Sequence, residues 1–334
     1  MRNDMLSLAS NAKINWFLDI TGRRQDGYHT LSTLMQKISL ADDLYLAFTN
    51  DKLREILGST PFAHVDTLRV TFPSLTLQLS LDSIQKLVLD ENNTIIKAVR
   101  LFLDACDRAG IVFPYSELYL HLVKRIPVQG GLGGGSADAA AVLRILNSLL
   151  EAENKALTEL DLAAVALQIG ADVPFCLHRA PLGYCTGIGE IIEAVEIPQK
   201  DYSLMLFLPG LQVSTALAFG HYDSMTREQR EAIPRSDSEA FLDALREADF
   251  AALCKNGVNG FTYLMADLHP ELLEIRSQLL ESGAVYAAMS GSGPTFFAVY
   301  ESDLARERGE QLFAEYLRSR DWQGYSTVMC KLIG

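Results

Sequence analysis

Between Lys124 and Leu150 the chain reads KRIPVQGGLGGGSADAAAVLRILNSLL, and five of the six residues from Gly130 to Gly135 are glycine. Glycine loses more backbone freedom on folding than any other residue, so such a run destabilises any regular element that contains it. Yet an apolar helical pattern follows from Ala139 to Leu150, and the alternating stretch ELYLHLVKRIP leads directly into the glycines. A strand, a glycine turn and a helix start present unpaired backbone N–H groups and the positive helix end to an anion. Without Cβ atoms the turn can wrap a phosphate, and Ser136 adds a hydroxyl at the helix start. A polyphosphate is the natural ligand. No Lys follows the last glycine as a Walker loop requires, and the spacing does not suit G-x-G-x-x-G with a ribose-binding acid downstream.

The rest of the chain reads as a mixture of strands and helices. AKINWFLDI, from Ala12, alternates, with Ile14, Trp16, Leu18 and Ile20 on one face and Lys13, Asn15, Phe17 and Asp19 on the other. After a D-G turn in TGRRQDGYHTL a second extended stretch runs from Leu34 to Phe48, which predicts an early antiparallel sheet. Residues 50–80 mix a short helical piece with two short strands around Pro61 and Pro73. Amphipathic spacing predicts a helix from Asn92 to Ala109, and Thr158 and Gly170 bound another as N-cap and stop. ADVPFCL and PLGYCTGIGEIIEAVEI read as short strands about a glycine turn. Beyond Ile197 come the buried strand YSLMLFLP, helices near 238–255 and 270–282, the strand-turn-strand AVYAAMSGSGPTFFAVY, a helix over 303–318 and a strand over 325–332. The expected class is α+β, with domains over 1–196 and 197–334.

Charge and cysteine content narrow the function. A net charge of −13 opposes broad attraction to nucleic acid or to an anionic membrane. Cys106, Cys176, Cys185, Cys254 and Cys330 form no C-x-x-C pair and are odd in number, which points to core thiols in a reducing compartment. With no signal h-region and no apolar run near the roughly 20 residues of a membrane span, a cytoplasmic protein is expected.

IPVQGGLGGGSADAA resembles the phosphate-binding signature of the GHMP kinases, a family that includes galactokinase, homoserine kinase, mevalonate kinase and phosphomevalonate kinase. AKINWFLDITGRRQDGYHTL and GADVPFC narrow the resemblance to the branch that phosphorylates a cytidine-diphosphate-linked alcohol. The similarity spans landmarks from Ala12 to about Val299. It implies a two-domain fold, an N-terminal domain like the second domain of ribosomal protein S5 and a ferredoxin-like C-terminal domain. It also implies ATP with Mg²⁺, no partner beyond small molecules, and a monomer or weak homodimer.

The resemblance assigns roles residue by residue. Asp172 in GADVPF matches the family's general base for the hydroxyl proton, although an Asp between a helix-ending Gly and Pro174 is by itself a common turn residue. Lys13 matches the catalytic lysine; a solvated strand face is the ordinary fate of such a residue, and Asn15 shares that face about 7 Å away. Tyr28 and His29 in DGYH fall where the family recognises cytosine, and Thr215 and Phe219 in GLQVSTALAF where the substrate pocket is completed. Asn93 in ENNTIIKA is the candidate for the adenine. Pro127, Gly130, Gly131, Leu132, Gly133, Gly134, Gly135, Ser136 and Ala137 form the nucleotide loop, and SGSGPTFF, from Ser290 to Phe297, matches a third family motif. Lys124 either reaches the nucleotide or caps the sheet edge.

Three departures stand out. Ala137 replaces the second serine of Ser-Ser, NGFT over 259–262 replaces NDLE, and residues 50–80 are longer than in relatives. The histidines show no H-x-x-x-H spacing, so no resident metal site is expected and Mg²⁺ would arrive with ATP. Two rivals remain: a GHMP kinase of the mevalonate or homoserine type, which would have no use for DGYH, and a nucleotide-binding sensor without turnover, which would not need both Lys13 and Asp172.

Overall fold

The structure, a computed structural model, describes residues 5–58, 64–84, 87, 89–198, 200–211 and 213–334. In chain order the first elements are β1 (Met5–Arg23), β2 (His29–Ala47), α1 (Asn50–Leu57), β3 (His64–Thr71), β4 (Thr76–Ser83), α2 (Thr94–Arg108), β5 (Glu117–Lys124), α3 (Gly134–Glu151), α4 (Glu159–Ile169) and α5 (Val173–Leu177). They are followed by β6 (Leu182–Thr186), β7 (Ile191–Ala194), β8 (Ser203–Leu208), α6 (Thr215–Ser224), α7 (Arg227–Glu231), α8 (Ser238–Glu247), α9 (Phe250–Asn256) and α10 (Gly260–Met265). Last come α11 (Glu271–Glu281), β9 (Tyr286–Met289), β10 (Phe296–Tyr300), α12 (Asp303–Ser319) and β11 (Ser326–Lys331).

These elements form two compact units that alternate along the chain. The first holds Met1–Ala12, Leu40–Val128 and Gly133–Arg179, the second Lys13–Ser39, Gln129–Leu132 and Ala180–Gly334. The long strands β1 and β2 pair with each other, and each contributes residues to both units. The boundary at 196 expected from sequence falls inside the second unit, just before β8.

In the first unit β3 pairs antiparallel with β4, β4 parallel with β5, and β5 antiparallel with the Asp43–Ala47 end of β2. The strand period of two sends Leu77, Leu79 and Leu81 of β4 and Leu118, Leu120 and Leu122 of β5 into one core. Ile95, Ile96, Val99, Phe102 and Leu103 of α2 and Val142, Leu143, Leu146 and Leu150 of α3 complete it, spaced three and four apart as a helix face demands. Within residues 50–80 the helical piece is α1 and the two strands are β3 and β4; residues 59–63 lie outside the described residues.

The second unit contains a four-stranded sheet in the order β11-β8-β10-β9, antiparallel throughout. With α11 before β9 and α12 between β10 and β11, the connection is the β-α-β-β-α-β of a ferredoxin-like fold. Met205, Phe207, Phe296, Ala298 and Tyr300 face Leu272, Ile275, Leu279, Phe313 and Leu317 of the two helices. Thr33–Gln36 of β2 pairs antiparallel with β6, and β6 antiparallel with β7, in this unit.

Two expectations change. The stretch VPFCL is the helix α5 rather than a strand, with Pro174 in its first turn, where a missing N–H costs nothing. The helix α3 begins at Gly134, five residues before its apolar pattern. By contrast α4 has the expected ends: Thr158 and Asp161 form a reciprocal capping box and Gly170 closes it. No helix among the described residues is long and apolar enough to cross a membrane. None of the five cysteines is in a disulfide, four of them are buried, and burial pushes the Cys106 thiol up to about 11 and that of Cys330 to about 12.

Candidate active site

The first unit carries the helix end of the glycine loop. Gly133 is the N-cap of α3 at φ +68°, and no side chain caps the helix there. The first N–H groups of a helix have no intrahelical partner, so those of the first turn remain available to a ligand. Ala137 is 3% exposed, its N–H donates to the Gly133 carbonyl at 2.8 Å, and its methyl belongs to the core. A serine at 137 would therefore place its hydroxyl among core side chains.

A buried charge cluster anchors the strand that enters this loop. Lys124 Nζ donates to Asp42 Oδ2 at 2.5 Å and to Asp138 Oδ2 at 2.7 Å. Asp42 Oδ1 accepts the N–H groups of Arg125 and Ile126, and Asp138 Oδ1 accepts from the Ser10 hydroxyl at 2.7 Å. Burial and the neighbouring Asp138 push the Asp42 carboxyl up to about 7 against the pull of Lys124. Lys124 itself is held above the usual lysine range, the two carboxylates outweighing its burial. The strand β5 has partners on both sides, so Lys124 caps no sheet edge, and its Nζ lies 3.0 Å from where a Cβ on Gly134 would stand. The residue fastens β2, β5 and the N-terminal half of α3 together.

Asn93 is the N-cap of α2, its side chain accepting from Ile95 N at 2.9 Å. Asp172, at the N-cap position of α5, makes no capping bond with its side chain and is partly buried. Pro127 is half-buried on the path into the loop.

The second unit carries the other part of the loop and a network built on β1. Lys13 is 2% and Asn15 0% exposed, so the ordinary solvated fate of a strand lysine does not apply. Both faces of β1 are covered here, because Trp16 packs on Phe241, Tyr286 and Phe297 while Phe17 packs on Tyr184 and Phe241. Lys13 Nζ donates to Asn15 Oδ1 at 2.7 Å, and the same oxygen accepts Gly291 N at 3.0 Å. Asn15 Nδ2 donates to Thr33 Oγ1, which donates to the Phe17 carbonyl. Lys13 N donates to the Leu132 carbonyl, and the Ser290 hydroxyl to that of Gly131. Gly131 sits at φ +76°, and a Cβ there would fall on the Ser290 carbonyl. The glycine loop and the SGSG turn are therefore in backbone contact, which explains the second glycine-rich motif.

Sequence reasoning missed the residue that secures this turn. Asn259, first of the departing NGFT, caps α10 and donates through Nδ2 to the carbonyls of Met289 and Gly291. Thr215 and Ser292 hydroxyls lie 2.7 Å apart, linking α6 to the same turn. The imidazole of His29 is buried and stacks on Phe219, ring centroids 4.6 Å apart and 11° between planes, whereas Tyr28 is 60% exposed.

Comparison with known proteins agrees with this architecture. The family model for the GHMP kinases N terminal domain matches residues 93–180, and that for the GHMP kinases C terminal matches residues 230–318. The 4-diphosphocytidyl-2-C-methyl-D-erythritol kinase of Lachnoclostridium phytofermentans is 33% identical over 94% of this chain and 93% of its own length. Its counterpart from Exiguobacterium sibiricum is 35% identical over 89% and 90%. A crystal structure of 4-(cytidine 5'-diphospho)-2C-methyl-D-erythritol kinase superposes with a TM-score of 0.69 at 29% identity, covering 98% of this chain and all of that one. A homoserine kinase from Cytophaga hutchinsonii, TM-score 0.66 at 16% identity, shares the fold. Glycine loop, ferredoxin-like sheet and near full-length similarity converge: the chain belongs to the 4-diphosphocytidyl-2-C-methyl-D-erythritol kinase family of GHMP kinases.

Proposed function

We propose that this protein transfers the γ-phosphoryl group of ATP to the 2-hydroxyl of 4-diphosphocytidyl-2-C-methyl-D-erythritol, a step in the non-mevalonate route to isoprenoid precursors. The observation that carries the reading is the loop over 130–136, a left-handed glycine followed by a helix start that no side chain caps, in a chain of this family. Those N–H donors suit the charge of a triphosphate, and Mg²⁺ arriving with the ATP would supply further neutralisation of the phosphate charge.

In this reading the 2-hydroxyl oxygen bonds to the γ-phosphorus as the bond to the ADP oxygen breaks, and the hydroxyl proton passes to Asp172. Lys13, oriented by Asn15, supplies positive charge for the negative charge gathering on the transferred group. Tyr28, His29 and Phe219 hold the cytosine, Thr215 borders the substrate, and Asn93 meets the adenine. The protein works in the cytoplasm as a monomer or weak homodimer.

A coupled ADP-release assay with Mg-ATP tests the proposal by comparing the cytidine compound with mevalonate, homoserine and galactose. Turnover on the cytidine compound alone is expected, and turnover on another alcohol instead would refute the substrate. Asp172→Asn should keep both ligands bound and lower kcat by about 10²–10⁴-fold, the usual contribution of a general base. Near-normal turnover would remove Asp172 from the chemistry.

A further inference from the structure

The helix α6 places two side chains on one imidazole. Phe219 and Asp223 are four residues apart, on the same helix face. Phe219 stacks on the His29 ring and Asp223 Oδ1 lies 2.8 Å from His29 Nε2. Tyr222 meets the ring edge-on at 5.5 Å, and the His29 side chain is 7% exposed. The other carboxylate oxygen of Asp223 faces Arg23 Nη1 at 3.5 Å, so the carboxylate is itself oriented. Among the described residues Asp223 is the hydrogen-bond partner of the His29 ring.

A carboxylate only accepts hydrogen bonds, so Nε2 must carry the proton in this pair. In a neutral imidazole the proton on Nε2 leaves Nδ1 as an acceptor. A neutral ring so held accepts from an exocyclic amino group and opposes a carbonyl oxygen at the same place. Cytosine presents an amino group at C4, uracil an oxygen. We propose that Asp223 sets the tautomer of His29 and thereby makes the site select an amino-bearing pyrimidine over its oxo counterpart. Asp223 touches no reacting atom; it is a positioning residue, and the assignment rests on the cytosine reading of His29 above.

The test compares wild type, Asp223→Ala and Asp223→Glu in the full-length protein, with the cytidine-linked substrate and its uridine counterpart. Asp223→Ala should raise KM for the cytidine compound about tenfold or more, the worth of roughly 1.4 kcal/mol, with kcat and the KM for ATP changed less than about threefold. Cytidine-over-uridine discrimination should fall by a similar factor, and Asp223→Glu should restore part of it. Unchanged KM and discrimination in a folded Asp223→Ala, or equal losses for ATP and cytidine substrate, overturn the proposal. The ¹⁵N shifts of the His29 ring separate this from failure of the substrate reading. An Nε2-protonated ring in the wild type that is lost in Asp223→Ala supports the tautomer assignment, and an Nδ1-protonated ring in the wild type refutes it even if the enzyme turns over no cytidine compound.

Discussion

Gly131→Ala isolates what the glycine loop does. At φ +76° an L-residue is strained by roughly 1–2 kcal/mol, and this cost applies wherever a left-handed glycine is replaced. At Gly131 there is more: the new methyl would overlap the Ser290 carbonyl oxygen and lie 3.0 Å from its carbon and 3.3 Å from Gly293 N, all of them backbone atoms. No rotamer change relieves that contact, so the loop must move away from the SGSG turn by several tenths of an ångström to about an ångström, enough to cost about 10²-fold in a phosphoryl transfer that depends on position. Gly110 supplies the control, since it stands at φ +67° with nothing within 4 Å of its added Cβ. Both variants should unfold a few degrees below wild type, as about 1–2 kcal/mol implies for a chain of this size. Steady-state kinetics in the coupled assay should show Gly110→Ala at the wild-type kcat/KM for ATP and Gly131→Ala about a hundredfold lower. Equal kinetics for the two variants would show that contact between the two glycine turns has no part in positioning the phosphates.

Two other perturbations probe buried charges. Lys124→Met would strand Asp42 and Asp138 in the core without their cation, which should cost about 3–5 kcal/mol in urea unfolding; a loss under about 1 kcal/mol would mean that the carboxylates do not depend on Lys124. Asp19, pushed up to about 6 chiefly by burial against the pull of its Ser236 hydrogen bonds and Arg235, binds its proton more tightly folded than unfolded. Its contribution is therefore full below about pH 4 and lost as pH rises through 6, amounting to about 3 kcal/mol. Asp19→Asn should flatten that part of the urea-stability profile between pH 4 and 7, and a slope identical to wild type would refute the assignment.

Much of this architecture is legible along the chain, and the misses are instructive. The extended stretches at Ala12–Ile20 and Leu34–Phe48, the helix after Asn93 and the caps of α4 all follow from period and end signals, because those depend on residues within one or two turns. A five-residue apolar run such as VPFCL fits either period, and α5 is decided by the surfaces of α3 and α4 that it packs against. Partners are harder still: Asp42 is 82 residues from Lys124, Asp223 is 194 from His29, and Asn259 is 30 and 32 from the carbonyls it holds.

By itself the sequence determined that a strand must deliver a glycine turn to a helix start, that an anion of the polyphosphate kind would suit it, and that Lys13 and Asn15 share a strand face. These are local matters of backbone freedom and side-chain period. Only the tertiary structure decided that Lys13 is buried rather than solvated, that Ala137 faces the core, that Lys124 is an anchor between two carboxylates, and that His29 is held by Asp223. Each of those outcomes depends on which distant segment the folded chain brings alongside, and hydrophobic burial, which drives that choice, is non-directional and leaves no mark at the polar residue whose role it settles.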